Sequence, residues 1–161
     1  MVLLLDRKNK TKTRFYMKKI LLSTFILFLA ISWLGIETTS AQTEGIKFFH
    51  GTYSQAVAKA KKENKLVFLD AYATWCGPCK WMARNTFTKQ SVGDYFNDKF
   101  VSIKIDMEKG EGKQLARKFG LRVYPTLFFI DGDGKVIKKT EGAYPPAPLI
   151  NLAKQVIGST K

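Results

Sequence analysis

The sequence predicts an α/β fold in which a mixed sheet of four or five strands is flanked by helices on both faces. Short apolar runs typical of strands alternate along the chain with segments whose apolar residues recur at helical spacing. Residues 66–73 are apolar at both alternating positions, which indicates a strand covered by helices on both sides. The predicted order of elements is β-α-β-α-β-α-β-β-α, in which strands and helices alternate except for one hairpin before the last helix.

The N-terminal part of the chain has the features of a signal peptide. Residues 20–36 are apolar and uncharged, and residues 39–41 are small, as signal peptidases require. Two lysines follow Met17, so we expect translation to start there, with cleavage before Gln42. Residues 1–41 would then be removed, leaving 42–161 as one domain. An uncleaved membrane anchor is the alternative, because the apolar run falls within the range that can span a bilayer.

The predicted mature domain is basic. The whole chain has 27 Lys and Arg residues and 13 Asp and Glu residues, which gives a formal net charge of +14. Loss of residues 1–41 removes seven basic and two acidic residues, so the charge falls to +9. The lysines are scattered and are not interleaved with exposed aromatic residues, so no nucleic-acid partner is expected. Attraction to acidic partners or anionic membrane surfaces is the milder expectation.

Local patterns define the elements before the cysteines. Residues 46–49 are predicted to form an edge strand. Thr52 and Gln55 stand three residues apart, as in a capping box, at the start of a helix that ends near Asn64. Tyr53, Ala56, Val57 and Ala60 would form its buried face.

The elements after the cysteines follow the same reasoning. The predicted segments are a helix from the cysteines towards residue 87, a helix from about 91, a strand at 100–105, a helix at 112–119, hairpin strands at 126–130 and 136–140, and a final helix that includes residues 149–156.

Cys76 and Cys79 are the only cysteines, and they lie where a strand ends and a helix begins. Two thiols at this spacing can close into a disulfide and reopen with little backbone movement. The helix N-terminus favours a thiolate at Cys76 and can lower its pKa from about 8.5 to roughly 3.5–7.5. Pro78 fits the first helical turn because that position needs no N–H donor. The pair therefore predicts thiol–disulfide chemistry.

Two other uses of the cysteine pair stay open. A structural zinc site needs four ligands, but the chain offers only these two thiols and His50 in addition to carboxylates, so no metal is expected. A purely structural disulfide is compatible with export. A bridge that closes so small a loop, however, constrains the unfolded chain little.

The segment WCGPCK at 75–80, together with YPT at 124–126, resembles the thioredoxin family. The resemblance extends over about residues 66–137. Within the family, Thr-Phe at 86–87 and the run at 125–131 are most similar to exported domains, such as the periplasmic C-terminal domain of a transmembrane disulfide reductase. The resemblance implies a thioredoxin fold and a redox-active dithiol that needs no cofactor.

The resemblance also implies a buried acid. Asp70, six residues before Cys76, matches the family acid beneath the second cysteine, so it is the expected proton acceptor for Cys79. A carboxyl group in so apolar a run should have a raised pKa. A strand-end aspartate that reaches water or caps a turn is the alternative. The lysine that often accompanies this acid is replaced by Ser102, and Lys104, on the same face, is a conceivable substitute.

Client docking is implied around Trp75, Gly77, Pro78, Tyr124 and Pro125. In the family, the proline corresponding to Pro125 forms a cis peptide that faces the cysteines. The backbone beside such a proline can pair with a bound polypeptide as an added strand. Without the resemblance, a proline before a strand is most often a turn residue.

These expectations combine into one function, an exported protein-disulfide reductase that acts as a monomer. An exposed Cys76 would attack a disulfide in a client protein, and Cys79, assisted by Asp70, would resolve the mixed disulfide. No segment indicates a nicotinamide or flavin site, so electrons are expected from a membrane-embedded donor. An oxidase or isomerase of the same fold is one alternative, and a non-enzymatic client-binding protein is another. Gly-Pro between the cysteines resembles the reducing members of the family.

Overall fold

The computed structural model describes residues 45–160. The predicted signal peptide, its cleavage site and the start at Met17 lie outside this part of the chain. The described elements are, in order, α1 (Tyr53–Glu63), β1 (Leu66–Tyr72), α2 (Gly77–Asn85), α3 (Gln90–Lys99), β2 (Phe100–Asp106), α4 (Gly112–Lys118), β3 (Thr126–Ile130), β4 (Val136–Glu141) and α5 (Pro146–Ser159).

The four strands form one mixed sheet in the order β2-β1-β3-β4. Strand β1 pairs in parallel with β2 and antiparallel with β3, and β3 pairs antiparallel with β4. Helices cover both faces of this sheet. The predicted fold class is therefore confirmed, with four strands in the sheet.

The predicted edge strand at residues 46–49 is wrong, because the segment forms only an isolated parallel bridge between Phe48 and Ser102. Other groups take up the backbone donors that a strand would use. The Ile46 N–H donates to the Phe87 carbonyl at 2.7 Å, and the Lys47 N–H donates to the side-chain oxygen of Asn97 at 2.8 Å. The Phe49 N–H donates to the Ser102 carbonyl of β2 at 2.7 Å, so the segment meets the sheet at one point and is otherwise bound outside it.

The two faces of the sheet bury separate hydrophobic cores. On one face, α1 and α4 pack against alternate residues of the strands, including Leu69 and Phe128. On the other, α2, α3 and α5 pack around Phe68, whose ring contacts that of Phe96 edge-on at 4.7 Å. Strand β1 is buried on both faces, as its two-sided apolar pattern predicted. Asp70 shares a face with Phe68, because strand side chains alternate.

Local signals in the sequence are formed as predicted. The capping box of Thr52 and Gln55 begins α1, which ends at Asn64 in the left-handed conformation, with φ of 52°. At the other end of β1, residue 76 is the N-cap of α2, and Pro78 lies in its first turn. Strand β1 thus delivers the cysteines to a helix N-terminus. No helix among residues 45–160 is long and apolar enough to cross a membrane.

Candidate active site

Cys76 and Cys79 form a disulfide across the first turn of α2, with their Cα atoms 5.3 Å apart. Cys76 is the N-cap residue, and its sulfur accepts a hydrogen bond from the backbone N–H of Cys79 at 3.1 Å. In the reduced form the same donor and the helix dipole would stabilise a thiolate at Cys76. The geometry therefore fits the predicted activation of the first cysteine.

The predicted exposure of Cys76 is wrong for the disulfide form. Cys76 is 2% exposed and Cys79 is 5% exposed. The reason is that the Cys76 side chain turns over the helix end to meet Cys79, and the pair packs in a small cluster with Ala73 and the rings of Tyr72 and Tyr124. Access to the disulfide therefore depends on the aromatic residues around it.

Asp70 is buried on the helix-covered face, with 1% of its surface exposed. Burial raises the pKa of its carboxyl group from 3.8 to about 6, and this effect outweighs the opposing effect of the Lys104 ammonium. One carboxyl oxygen, Oδ1, has no hydrogen-bond partner. The burial confirms the position that the sequence predicted and excludes a solvated aspartate, while the role of Asp70 as proton acceptor for Cys79 stays a prediction.

Lys104 is the electrostatic partner of Asp70. The two residues are opposite each other in the parallel β1–β2 register, and Lys104 Nζ lies 3.8 Å from Asp70 Oδ2. The ammonium also lies 5.2–5.5 Å from the ring centroids of Phe48, Tyr72 and Phe87, at distances typical of cation–π contacts. Lys104 thus substitutes for the lysine that the sequence lacks at residue 102.

A pocket of about 190 Å³ lies beside the second cysteine and reaches Lys104, whereas Asp70 does not line it. Its lining includes Cys79, Tyr72, Ala83 and Lys104. A volume of this size has room for water between Cys79 and Lys104. A larger pocket, of about 1100 Å³, lies at the opposite end of the sheet between α1 and the β3–β4 turn and contains neither cysteine.

The Tyr124–Pro125 peptide bond is cis, as the resemblance implied. The Pro125 carbonyl accepts from the Gly142 N–H at 2.9 Å, and the Val123 carbonyl accepts from the Thr126 hydroxyl at 2.6 Å. Among the hydrogen bonds within residues 45–160, none involves the backbone of Tyr124. The backbone of Tyr124, next to the cis proline, is therefore available to an added strand.

Trp75 extends beside the disulfide with 64% of its surface exposed. Its ring packs edge-on against Tyr124, with centroids 5.7 Å apart, and its Nε1 donates to both carboxylate oxygens of Glu108, at 3.0 and 2.9 Å. Glu108 was not among the predicted site residues. The available signal was topological: β1 and β2 are parallel, so the residues that follow them meet at one edge of the sheet.

Gly77 and Pro78 are both exposed in the first turn of α2. A Cβ atom at Gly77 would meet nothing within 4 Å, so packing does not require glycine there. The roles of these two residues in docking and in setting the redox potential stay predictions. Among the described residues, no group of three potential ligands could hold a metal ion.

A family profile described as a thioredoxin-like domain matches residues 53–157, which include the whole site. The chain belongs to the thioredoxin-like domain family. Thioredoxin 2 of Chlorobaculum tepidum is 30% identical over 112 residues, which are 70% of this chain and 97% of that protein. The chain spans only 62% of the chloroplastic Thioredoxin Y of Oryza sativa, to which it is 34% identical, and 39% of the chloroplastic Thioredoxin F from the same plant.

Two solved structures resemble this thioredoxin-like domain. A Bacteroides thetaiotaomicron protein, described provisionally as a disulphide-isomerase, is 43% identical with a TM-score of 0.65, covering 73% of this chain and 97% of that one. The oxidised C-terminal domain of DsbD from Neisseria meningitidis is 29% identical with a TM-score of 0.56, covering 68% and 98%. With the Cys76–Cys79 pair, these matches make thiol–disulfide exchange the chemistry of the site.

Proposed function

We propose that this thioredoxin-like protein is an exported thiol–disulfide oxidoreductase that reduces disulfide bonds in other proteins. The observation that carries the proposal is the Cys76–Cys79 disulfide at the N-terminus of α2, with Cys79 and Lys104 lining one pocket and Lys104 next to the buried Asp70. A client-binding protein without catalysis would need neither the dithiol nor a buried carboxyl group.

The first step is attack by Cys76. In the reduced protein, the Cys76 thiolate attacks one sulfur of the client disulfide, and the client S–S bond breaks as the mixed disulfide forms. The departing client sulfur takes a proton from water. Cys76 has this role because its sulfur is the N-cap group that receives the Cys79 N–H.

The second step is resolution by Cys79. Its thiol gives a proton to the Asp70 carboxylate by way of the pocket that Cys79 shares with Lys104, the ion-pair partner of Asp70, and its sulfur then attacks that of Cys76. The mixed disulfide breaks, and the second client sulfur leaves and is protonated. The client gains two electrons and two protons, and the protein finishes with the Cys76–Cys79 disulfide.

The client would dock as an extended segment beside Tyr124. The backbone N–H and C=O of that residue are available, whereas the carbonyls on either side of it are occupied by Gly142 and Thr126. Strand addition supplies affinity through main-chain hydrogen bonds with little sequence preference. Trp75 and the exposed Val123 would contribute apolar contact beside the disulfide.

Location, electron supply and oligomeric state belong to the same proposal. The likeness to the DsbD C-terminal domain and the signal-peptide pattern support export to the periplasm and reduction by a membrane-embedded donor. The monomeric state stays a prediction from the sequence. N-terminal sequencing of the exported protein should give Gln42 as the first residue. An exported form that retains residues 20–36 would instead support the membrane-anchored alternative.

Reduction of insulin with dithiothreitol as electron source tests the activity. The wild-type protein should accelerate precipitation of the insulin B chain, and Cys76→Ser should lower the rate to that of dithiothreitol alone. Ser91→Ala is the control, because this exposed residue of α3 does not line the pocket beside Cys79. Activity that survives in Cys76→Ser would contradict the assigned chemistry.

An isomerase or oxidase is the second candidate. The observation that favours it is the 43% identity to the Bacteroides protein described provisionally as a disulphide-isomerase. Gly77 and Pro78 between the cysteines favour reduction, since they resemble the pair in the reducing members. The equilibrium potential of the dithiol separates the two directions.

A further inference from the structure

Three loops meet beside the Cys76–Cys79 disulfide, and a single carboxylate connects them. Trp75 directly precedes Cys76, Glu108 follows β2, and Tyr124 precedes the cis proline. The Trp75 indole donates to both oxygens of Glu108, at 3.0 and 2.9 Å, while its ring packs edge-on against Tyr124 with an interplanar angle of 86°. The contacts run from Glu108 through Trp75 to Tyr124.

We propose that Glu108 is a positioning residue for client docking, because it holds Trp75 against the ring of Tyr124 and thereby fixes the backbone that the client pairs with. The inference rests on the proposed function, since it assigns the docking position to Tyr124. Glu108 does not touch the sulfur atoms in this assignment. Its effect passes through the two aromatic rings.

Glu108 is itself held in place. Its backbone N–H donates to Asp106 Oδ1 at 3.0 Å, and the other oxygen of Asp106 lies 3.4 Å from Lys109 Nζ. The turn after β2 is therefore closed by its own contacts, and it presents the Glu108 carboxylate to the docking surface. Both carboxylate oxygens of Glu108 lie within 3.0 Å of the Trp75 indole nitrogen. The carboxylate binds the indole even though residues 42–161 contain more basic than acidic residues, 20 Lys and Arg against 11 Asp and Glu.

Fixing Trp75 matters because the residue is 64% exposed. An exposed side chain without a partner samples several rotamers, and it loses that freedom when a client docks on it. A carboxylate that accepts from the indole N–H selects one orientation before docking. Preorganisation of this kind strengthens binding of the client and leaves the reactivity of the sulfur atoms unchanged.

The test compares Glu108→Ala with Glu108→Gln. We expect Glu108→Ala to raise KM for insulin roughly fivefold with kcat unchanged, as loss of one exposed hydrogen bond predicts. Glu108→Gln keeps an acceptor for the indole and should stay within about twofold of wild type. Glu63→Ala removes an exposed carboxylate at the far end of α1, so it controls for the change in charge. Reduction of hydroxyethyl disulfide, which needs no docking surface, should not fall in any variant.

A double-mutant cycle with Trp75→Phe shows whether Glu108 acts through the indole. In the Trp75→Phe background, Glu108→Ala should leave KM unchanged, because the donor is already absent. The inference would be overturned if Glu108→Ala raised KM equally in both backgrounds, or if Glu108→Ala and Glu63→Ala had the same KM. The proposed function would still stand in either case, provided that the wild-type protein is active. A wild-type protein that reduces neither insulin nor the small disulfide would refute the proposed function itself.

Discussion

Replacement of Asp70 by Asn should stabilise the fold at neutral pH and slow the resolving step. Burial raises the carboxyl pKa from 3.8 to about 6, which corresponds to about 3 kcal/mol of destabilisation when the group is ionised. An amide avoids the charge, but it keeps a buried polar group near the Lys104 ammonium. We therefore expect Asp70→Asn to gain about 2 kcal/mol at pH 7.5.

The pH dependence has a definite sign. The folded protein holds the Asp70 proton more tightly than the unfolded chain does, so wild-type stability falls as the pH rises from about 3.8 to about 6. Below this range Asp70 is neutral in both states, and the advantage of Asn should vanish. Above it the advantage should be constant. Urea unfolding of the disulfide form at pH 3.5, 5 and 7.5 measures the difference.

Asp98→Asn is the matched control, because Asp98 is an exposed carboxylate whose ion pair with Lys99 should contribute little. Release of a trapped mixed disulfide should be at least about tenfold slower in Asp70→Asn, since a general base for Cys79 is lost. A less stable Asp70→Asn protein at pH 7.5, an undiminished gain at pH 3.5, or faster release would each refute the buried-acid reasoning.

Three further predictions concern the charges and the sulfur atoms. Lys104→Met should raise the Asp70 pKa further, because the opposing ammonium is lost. An NMR titration of the carboxyl carbon that gives a lower or an unchanged pKa would contradict this. Cys79→Ser should accumulate mixed disulfides through Cys76, whereas Cys76→Ser should accumulate few; equal trapping in non-reduced mass spectra would refute the assigned order of attack. In a glutathione buffer poised at about −180 to −210 mV the dithiol should be mostly oxidised, and a mostly reduced protein would favour the oxidase alternative.

Short-range signals in the sequence predicted much of the fold. The capping box at Thr52, the two-sided apolar run of β1 and the proline in the first turn of α2 each depend on neighbouring residues, and each is formed as predicted. The predicted edge strand is wrong because two of its backbone donors bind Phe87 and Asn97, which are distant in sequence. No local pattern specifies such partners.

The features of the candidate site also fall into those that the sequence predicted and those that it did not. The cysteine pair, the buried Asp70 and the cis proline were predicted from motifs, and the substitution of Lys104 for a missing lysine followed from strand alternation. The burial of Cys76 and the contact between Glu108 and Trp75 were not predicted. Both depend on how loops from different strands pack at one edge of the sheet, which spacing along the chain does not encode.

Strand β4 forms an outer edge of the sheet, and its composition affects how the protein behaves among extended polypeptides. An open edge can recruit any extended chain, and lysine side chains oppose such pairing. Lys138 and Lys139 lie within β4, and Lys135 precedes it. The proposed function requires the protein to bind an unfolded client for one exchange and then release it. The lysines of β4 would disfavour co-aggregation along the sheet edge, while the free backbone of Tyr124 could still pair with one client strand.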